Sequence, residues 1–192
     1  MSAIRNPQSA IIVIGASQGG LSALKILLAT LPKDFPLPVV VALHRGKDSD
    51  NSLSEHLGKY TSLTVMETED KEVIRPGHVY FAPGNYHLLV EGEHFALSTE
   101  ETVNYARPSI DVLFESAAHD YGKGVIGIIL TGANADGAQG LAVIKKSGGV
   151  AIVQDPATAE SPSMPEAAIA ATAVDKVLPV EEIAQFLVEM TR

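Results

Sequence analysis

The sequence predicts an α/β domain of three layers, with helices on both faces of a mostly parallel sheet and an antiparallel hairpin as decoration. Two observations carry this. Four short runs, AIIVIG (10–15), VVVAL (39–43), VIGIIL (125–130) and VAIVQ (150–154), are rich in β-branched residues and do not alternate polar with apolar; strands buried on both faces read this way. Stretches of helical length separate them, so the chain alternates strand and helix, and right-handed βαβ units follow.

Taken in order, the first strand leads through a glycine-rich turn into a helix over Gly20 to Thr30. The second strand ends at His44 and is followed by a helix over Ser52 to Lys59. From Ser62 to Ser98 the segments are shorter (SLTVM, HVYFAP, HLLVEG, HFALS), with a tight turn near Glu91-Gly92. This stretch is expected to form a hairpin decoration on the sheet edge, because about 35 residues cannot bury a core of their own. Helices over Ser109 to Tyr121 and Gly137 to Ser147 flank the third strand. The tail predicts a helix from Pro165 to Ala173, with Pro165 in a first turn where its missing N–H does no harm. A short strand at Val174 to Leu178 and a closing helix after Pro179 complete the chain. At 192 residues, 1–192 is expected to be a single domain, since domains run at roughly 100 to 200 residues.

Composition narrows the function. A net charge of −9 with only 14 Lys and Arg argues against a phosphate-backbone partner, which needs clustered basic residues. Acidic patches such as Glu67-Thr68-Glu69-Asp70 and Glu100-Glu101 read as solvated surface. No cysteine is present, which excludes disulfides, thiolate metal sites and a Cys nucleophile. The start, MSAIRNPQSA, is not a basic leader with an apolar core, and no run of 18 apolar residues occurs; the expectation is a cytoplasmic protein that does not insert into membranes.

The sharpest local feature is Gly15-Ala16-Ser17-Gln18-Gly19-Gly20. A dinucleotide fingerprint would have glycine where Ser17 stands. A P-loop would need a following Gly-Lys-Ser/Thr, which is absent. The remaining pattern, G-x-S-x-G, is a nucleophile elbow: a sharp turn that lifts a serine hydroxyl above the sheet edge, beside the N–H groups of a helix start. A tight turn of purely structural meaning is the competing reading.

A serine attacks an ester when a histidine takes its proton and a carboxylate fixes the histidine's tautomer. Of six histidines, His44 alone ends a predicted buried parallel strand, on the rim where the Ser17 turn sits. Asp136 follows a third such strand, although an aspartate there is also an ordinary helix cap. Asp111 and Asp155 are its rivals.

The stretches VIGASQGG (13–20), APGNYHL (82–88), ARPSIDVLFESAA (106–118), GIILTGANADGAQGL (127–141), GGVAIVQDPATA (148–159) and SMPEAA (163–168) make the chain resemble, over nearly its whole length, the catalytic domain of the chemotaxis receptor protein-glutamate methylesterases. The resemblance implies Ser17 as nucleophile, His44 as base and Asp136 as orienting acid, with no cofactor and no metal. It implies methyl-accepting receptor cytoplasmic helices as partner, and glutamine deamidation as a related activity.

Gln18, Gly19 and Ala133 become candidates for the oxyanion environment, and Arg45 and Arg107 for glutamates of the substrate helix. The chain departs from the family in three places. Gln18 stands where threonine is usual, Ala133-Asn134 replaces Met-Gly, and Arg45-Gly46 replaces Met-Pro. The receiver domain that often precedes this catalytic domain has no room here, so the expectation is either control by another regulatory partner or a longer chain from which these residues are cut, for instance a fusion with a methyltransferase domain. A nucleotide-binding module and a non-catalytic receptor-interaction domain are the alternatives.

Overall fold

A computed structural model describes residues 10–44 and 52–191. Its centre is a seven-stranded sheet in the order β3-β4-β2-β1-β7-β8-β9. The strands are β1 (Ile11–Ala16), β2 (Val39–Leu43), β3 (Thr64–Glu67), β4 (His78–Phe81), β7 (Val125–Ile129), β8 (Val150–Gln154) and β9 (Lys176–Leu178). Every neighbouring pair in it is parallel. β1, β2 and β7 are buried at every position, which is why their sequences do not alternate.

The two faces are covered by different helices. α1 (Gly20–Thr30) and α6 (Val180–Met190) bring Leu24, Leu27, Leu28, Ile183 and Leu187 onto Ile12, Ile14, Val39 and Val41, and Leu57 of α2 (Ser52–Gly58) joins this cluster. On the other face α3 (Ile110–Tyr121), α4 (Ala138–Lys146) and α5 (Ser163–Ala171) place Leu113, Phe114, Leu141, Ile144 and Met164 against Ile11, Val13 and Ile129. Since β1 feeds a helix on one face and β7 a helix on the other, the carboxyl ends of these adjacent strands form a topological switch point, where open α/β sheets bind ligands.

The middle of the chain differs from its sequence expectation. Only β5 (His87–Glu91) and β6 (His94–Ser98) form the antiparallel hairpin, turning through Gly92 at φ 60°. The hairpin packs on α3, and its Phe95 ring meets Tyr80 of β4 at 4.9 Å. The segments around SLTVM and HVYFAP instead enter the main sheet as β3 and β4. β3 is the edge strand and β4 lies between it and β2, with the buried Tyr80 and Phe81 of β4 anchoring the pair in the core. Among the described residues no helix is long and apolar enough to cross a membrane.

Candidate active site

Three strand ends converge at the switch point. Ala16 pairs with Leu43 at the end of β1 and β2, so Ser17 and His44, one residue further on, stand side by side on strands about 4.8 Å apart. The Ser17 N–H donates to Thr131 O beyond β7 (3.0 Å), and the His44 N–H donates to Ala16 O (3.0 Å). These bonds fix both backbones while leaving both side chains at the rim, and both side chains line one cleft of about 520 Å³. The serine is held close to the third strand end by a glycine: a methyl on Gly132 would overlap Met164 Sδ and come within 2.9 Å of Ser17 Cβ.

The two helices that leave this rim begin without side-chain caps. Gly19 (φ 77°) and Gly137 (φ 92°) take the cap positions of α1 and α4 in left-handed geometry, a conformation glycine adopts without steric cost. Asp136 is therefore not the cap of the helix it precedes. Its buried carboxylate turns to the start of α3, accepting the Ile110 N–H at 2.7 Å, the Asp111 N–H at 3.1 Å and Ser109 Oγ at 2.9 Å. It also receives His44 Nε2 at 2.8 Å and Asn104 Nδ2 at 3.3 Å. Burial alone would push the Asp136 carboxyl upward; the hydrogen bond from His44 and those from the Ile110 and Asp111 amides outweigh it, and the group lies below its ordinary value. Asp136 is thus held ionised.

The histidine tautomer follows from the same network. The Asp136 N–H, which can only donate, is bonded to Asn134 Oδ1 at 3.0 Å. Asn134 Nδ2 must then be the atom 3.0 Å from His44 Nδ1, so Nδ1 is the acceptor and Nε2 carries the hydrogen given to Asp136. The basic lone pair of His44 is on Nδ1.

The rival acids have other partners. Asp111 receives the Gly140 N–H (2.7 Å) and Asn104 Nδ2 (2.8 Å), tying α3 to α4. Burial raises its carboxyl, with Asp136 and Glu115 adding to the rise and the Gly140 and Gly137 amides opposing it. Asp155 caps a short turn by accepting the Ala157 N–H at 2.9 Å.

The remaining candidates divide. Among the described residues the N–H groups of Gln18, Gly19 and Ala133 have no acceptor, and Gln18 uses its carbonyl to receive Thr131 Oγ1 at 2.9 Å. Arg107 lines the cleft, yet its guanidinium donates to Thr99 O, Glu100 O and Asn85 Oδ1, each at 2.7 Å. These bonds tie two loops together through neutral oxygens. Arg45 lies outside the described residues.

Sequence reasoning passed over Ser109 and Asn104, and met Asn134 only as a departure from the family's usual Met-Gly. Ser109 precedes a helix in RPSID (107–111) and accepts the Val112 N–H as its cap, a signal visible in the sequence. Asn104 and Tyr105 hold left-handed conformations (φ 51° and 61°) in a turn whose tip exposes Tyr105 fully. Nothing local in the sequence marks that turn as touching Asp136.

Comparison with known proteins finds relatives over nearly the whole chain. The CheB methylesterase family pattern matches residues 12–187. The chain is similar to a protein-glutamate methylesterase/protein-glutamine glutaminase of Thiobacillus denitrificans (40% identity; 98% of this chain, 55% of that one). A Leptospira interrogans protein provisionally named for the same two activities is 52% identical over 180 residues, covering 93% of each chain. The crystal structure of the Thermotoga maritima CheB methylesterase catalytic domain superposes with a TM-score of 0.91 at 37% identity, covering 94% of this chain and 98% of that one.

Proposed function

Since the chain belongs to the CheB methylesterase family, we infer that it is a protein-glutamate methylesterase acting on chemoreceptor domains, with Ser17 as nucleophile, His44 as base and Asp136 as the acid that orients it. The observation that carries the residue assignment is the Asp136–His44 bond of 2.8 Å, which commits Nε2 and leaves Nδ1 as the basic nitrogen of a histidine that lines the same cleft as Ser17.

In this reading His44 Nδ1 takes the Ser17 proton as Oγ attacks the carbonyl of a glutamyl methyl ester, and Asp136 stabilises the imidazolium. The unpaired N–H groups of Gln18 and Gly19, at the start of α1, support the oxyanion. His44 then returns the proton to the departing methoxide, releasing methanol. A water, deprotonated by the same nitrogen, cleaves the acyl-enzyme to glutamate and free Ser17. Glutamine deamidation uses the same steps with ammonia as the leaving group, in keeping with the glutaminase activity named for the Thiobacillus relative. A receptor helix fits the requirement for an exposed glutamyl side chain, and 1–192 acts as one catalytic unit.

Covalent labelling tests the assignment. A fluorophosphonate should modify Ser17 stoichiometrically, and peptide mass mapping should lose that adduct in His44→Ala. Labelling of another serine would remove Ser17 from the mechanism, and equal labelling of Ser17 without His44 would remove His44 as its base.

A further inference from the structure

We propose that Asn134 is a latch on the base, holding the His44 lone pair in the resting protein and yielding it to Ser17 only when it swings away. The proposal rests on the esterase reading above and adds a positioning residue to it.

The same atom is claimed twice. Nδ1 of His44 is the nitrogen left to receive the Ser17 proton, because Nε2 is committed to Asp136. That Nδ1 accepts the Asn134 amide at 3.0 Å, and the amide cannot flip to relieve the conflict, since its oxygen is held by the Asp136 N–H. An imidazole nitrogen has one lone pair. While Asn134 occupies it, Ser17 cannot be deprotonated, and among the described residues Ser17 Oγ has no hydrogen-bond partner.

The latch is built to open. Asn134 is exposed, whereas Asp136 beside it is buried, so rotating the carboxamide outward lets water or substrate replace its bonds. It also lines two cavities, the Ser17–His44 cleft and a neighbouring one of about 560 Å³ bordered by Asn104, Tyr105, Asp111 and Ala167. A change of side-chain rotamer carries the amide from the first into the second. A peptide carbonyl of a protein substrate lying across this boundary is the natural acceptor for the released N–H groups; a small ester offers none, and meets the latch as a brake.

The test compares the parent protein with Asn134→Gly and Asn134→Ala. Two measurements are made on each: the 15N resonances of the His44 ring, and the Ser17-dependent hydrolysis of p-nitrophenyl acetate with Ser17→Ala as the blank. Both variants should raise kcat by about three- to tenfold, the worth of one net hydrogen bond, with KM nearly constant. The Nδ1 resonance should move while the Nε2–H tautomer persists. Rates equal to or below the parent in both variants, with parental hydrolysis still dependent on Ser17, would overturn the latch and leave the esterase reading standing. Absence of Ser17-dependent hydrolysis in the parent and in both variants would overturn both.

Discussion

Asp136 accepts the Ile110 N–H at 2.7 Å on the same carboxylate oxygen that receives His44 Nε2 at 2.8 Å. One group therefore caps the start of α3 and orients the base. Its neighbours at that helix start, the Asp111 N–H and Ser109 Oγ, bond its other oxygen, so the carboxylate cannot rotate without uncapping the helix.

Replacing Asp136 should accordingly do two things at once. Asp136→Asn is expected to lower kcat by a factor on the order of 10⁴, as loss of the orienting carboxylate does in serine hydrolases. It should also lower unfolding stability by about 2 kcal/mol through the charge-assisted bonds lost at α3. Kinetics and urea denaturation of the same variant check both; a loss of activity with full stability would separate the two roles.

The stability effect has a defined pH range. Asp136 is held below its ordinary value of 3.8, so its contribution is fully present above that pH and is lost as the pH falls through the lower, folded-state value. The gap in stability between the parent and Asp136→Asn should be constant from about pH 7 to about pH 5 and should close below that. Asp111 works in the opposite sense. Its raised carboxyl costs stability when ionised, and protonation relieves that cost as the pH falls. Urea titrations across the range would show a constant gap at every pH if Asp136 carried no such linkage.

Gly132→Ala should damage the site from behind. The added methyl overlaps Met164 Sδ and crowds Ser17 Cβ at 2.9 Å, so Met164 or the serine turn must shift. Overpacking of this kind costs about 1–3 kcal/mol. The expected result is a lower Tm together with a fall in kcat, measured on a small ester so that receptor docking does not enter. An unchanged kcat would mean that the serine turn tolerates the displacement.

Arg107→Lys distinguishes a structural tie from a substrate contact. Lysine cannot reproduce the fork that joins Thr99 O, Glu100 O and Asn85 Oδ1. A loss of about 2 kcal/mol corresponds to a Tm lower by about 4–8 °C in a chain of this size, with KM for receptor substrate little changed. A raised KM at constant Tm would instead make Arg107 a reader of substrate charge.

Much of this site was legible because parallel strands advertise themselves. Uninterrupted β-branched runs located β1, β2 and β7, and the residues just past their ends were Ser17, His44 and the loop to Asp136. β3 and β4 were misplaced because strands of four residues look the same whether they pair with a hairpin or with a parallel sheet; only contacts distant in sequence, such as Val39 with Val79, decide it. Asn104 was passed over, and Asn134 was noted only as a departure from the family, for a related reason. Their importance lies in bonds to Asp136 and His44 across 32 and 90 residues of chain, and an asparagine in a loop carries no local sign of such partners. Asp136 itself was ambiguous in sequence, cap or acid, and the structure shows it as a cap of α3 instead of its own helix.

The most direct test of the central claim is methanol release from a methylated chemoreceptor cytoplasmic fragment, with the parent protein beside Ser17→Ala. The account predicts steady release by the parent and none above background by Ser17→Ala, with the variant still folded and still binding the fragment. Release that persists in Ser17→Ala, or a folded parent that binds the fragment and releases no methanol, would contradict it.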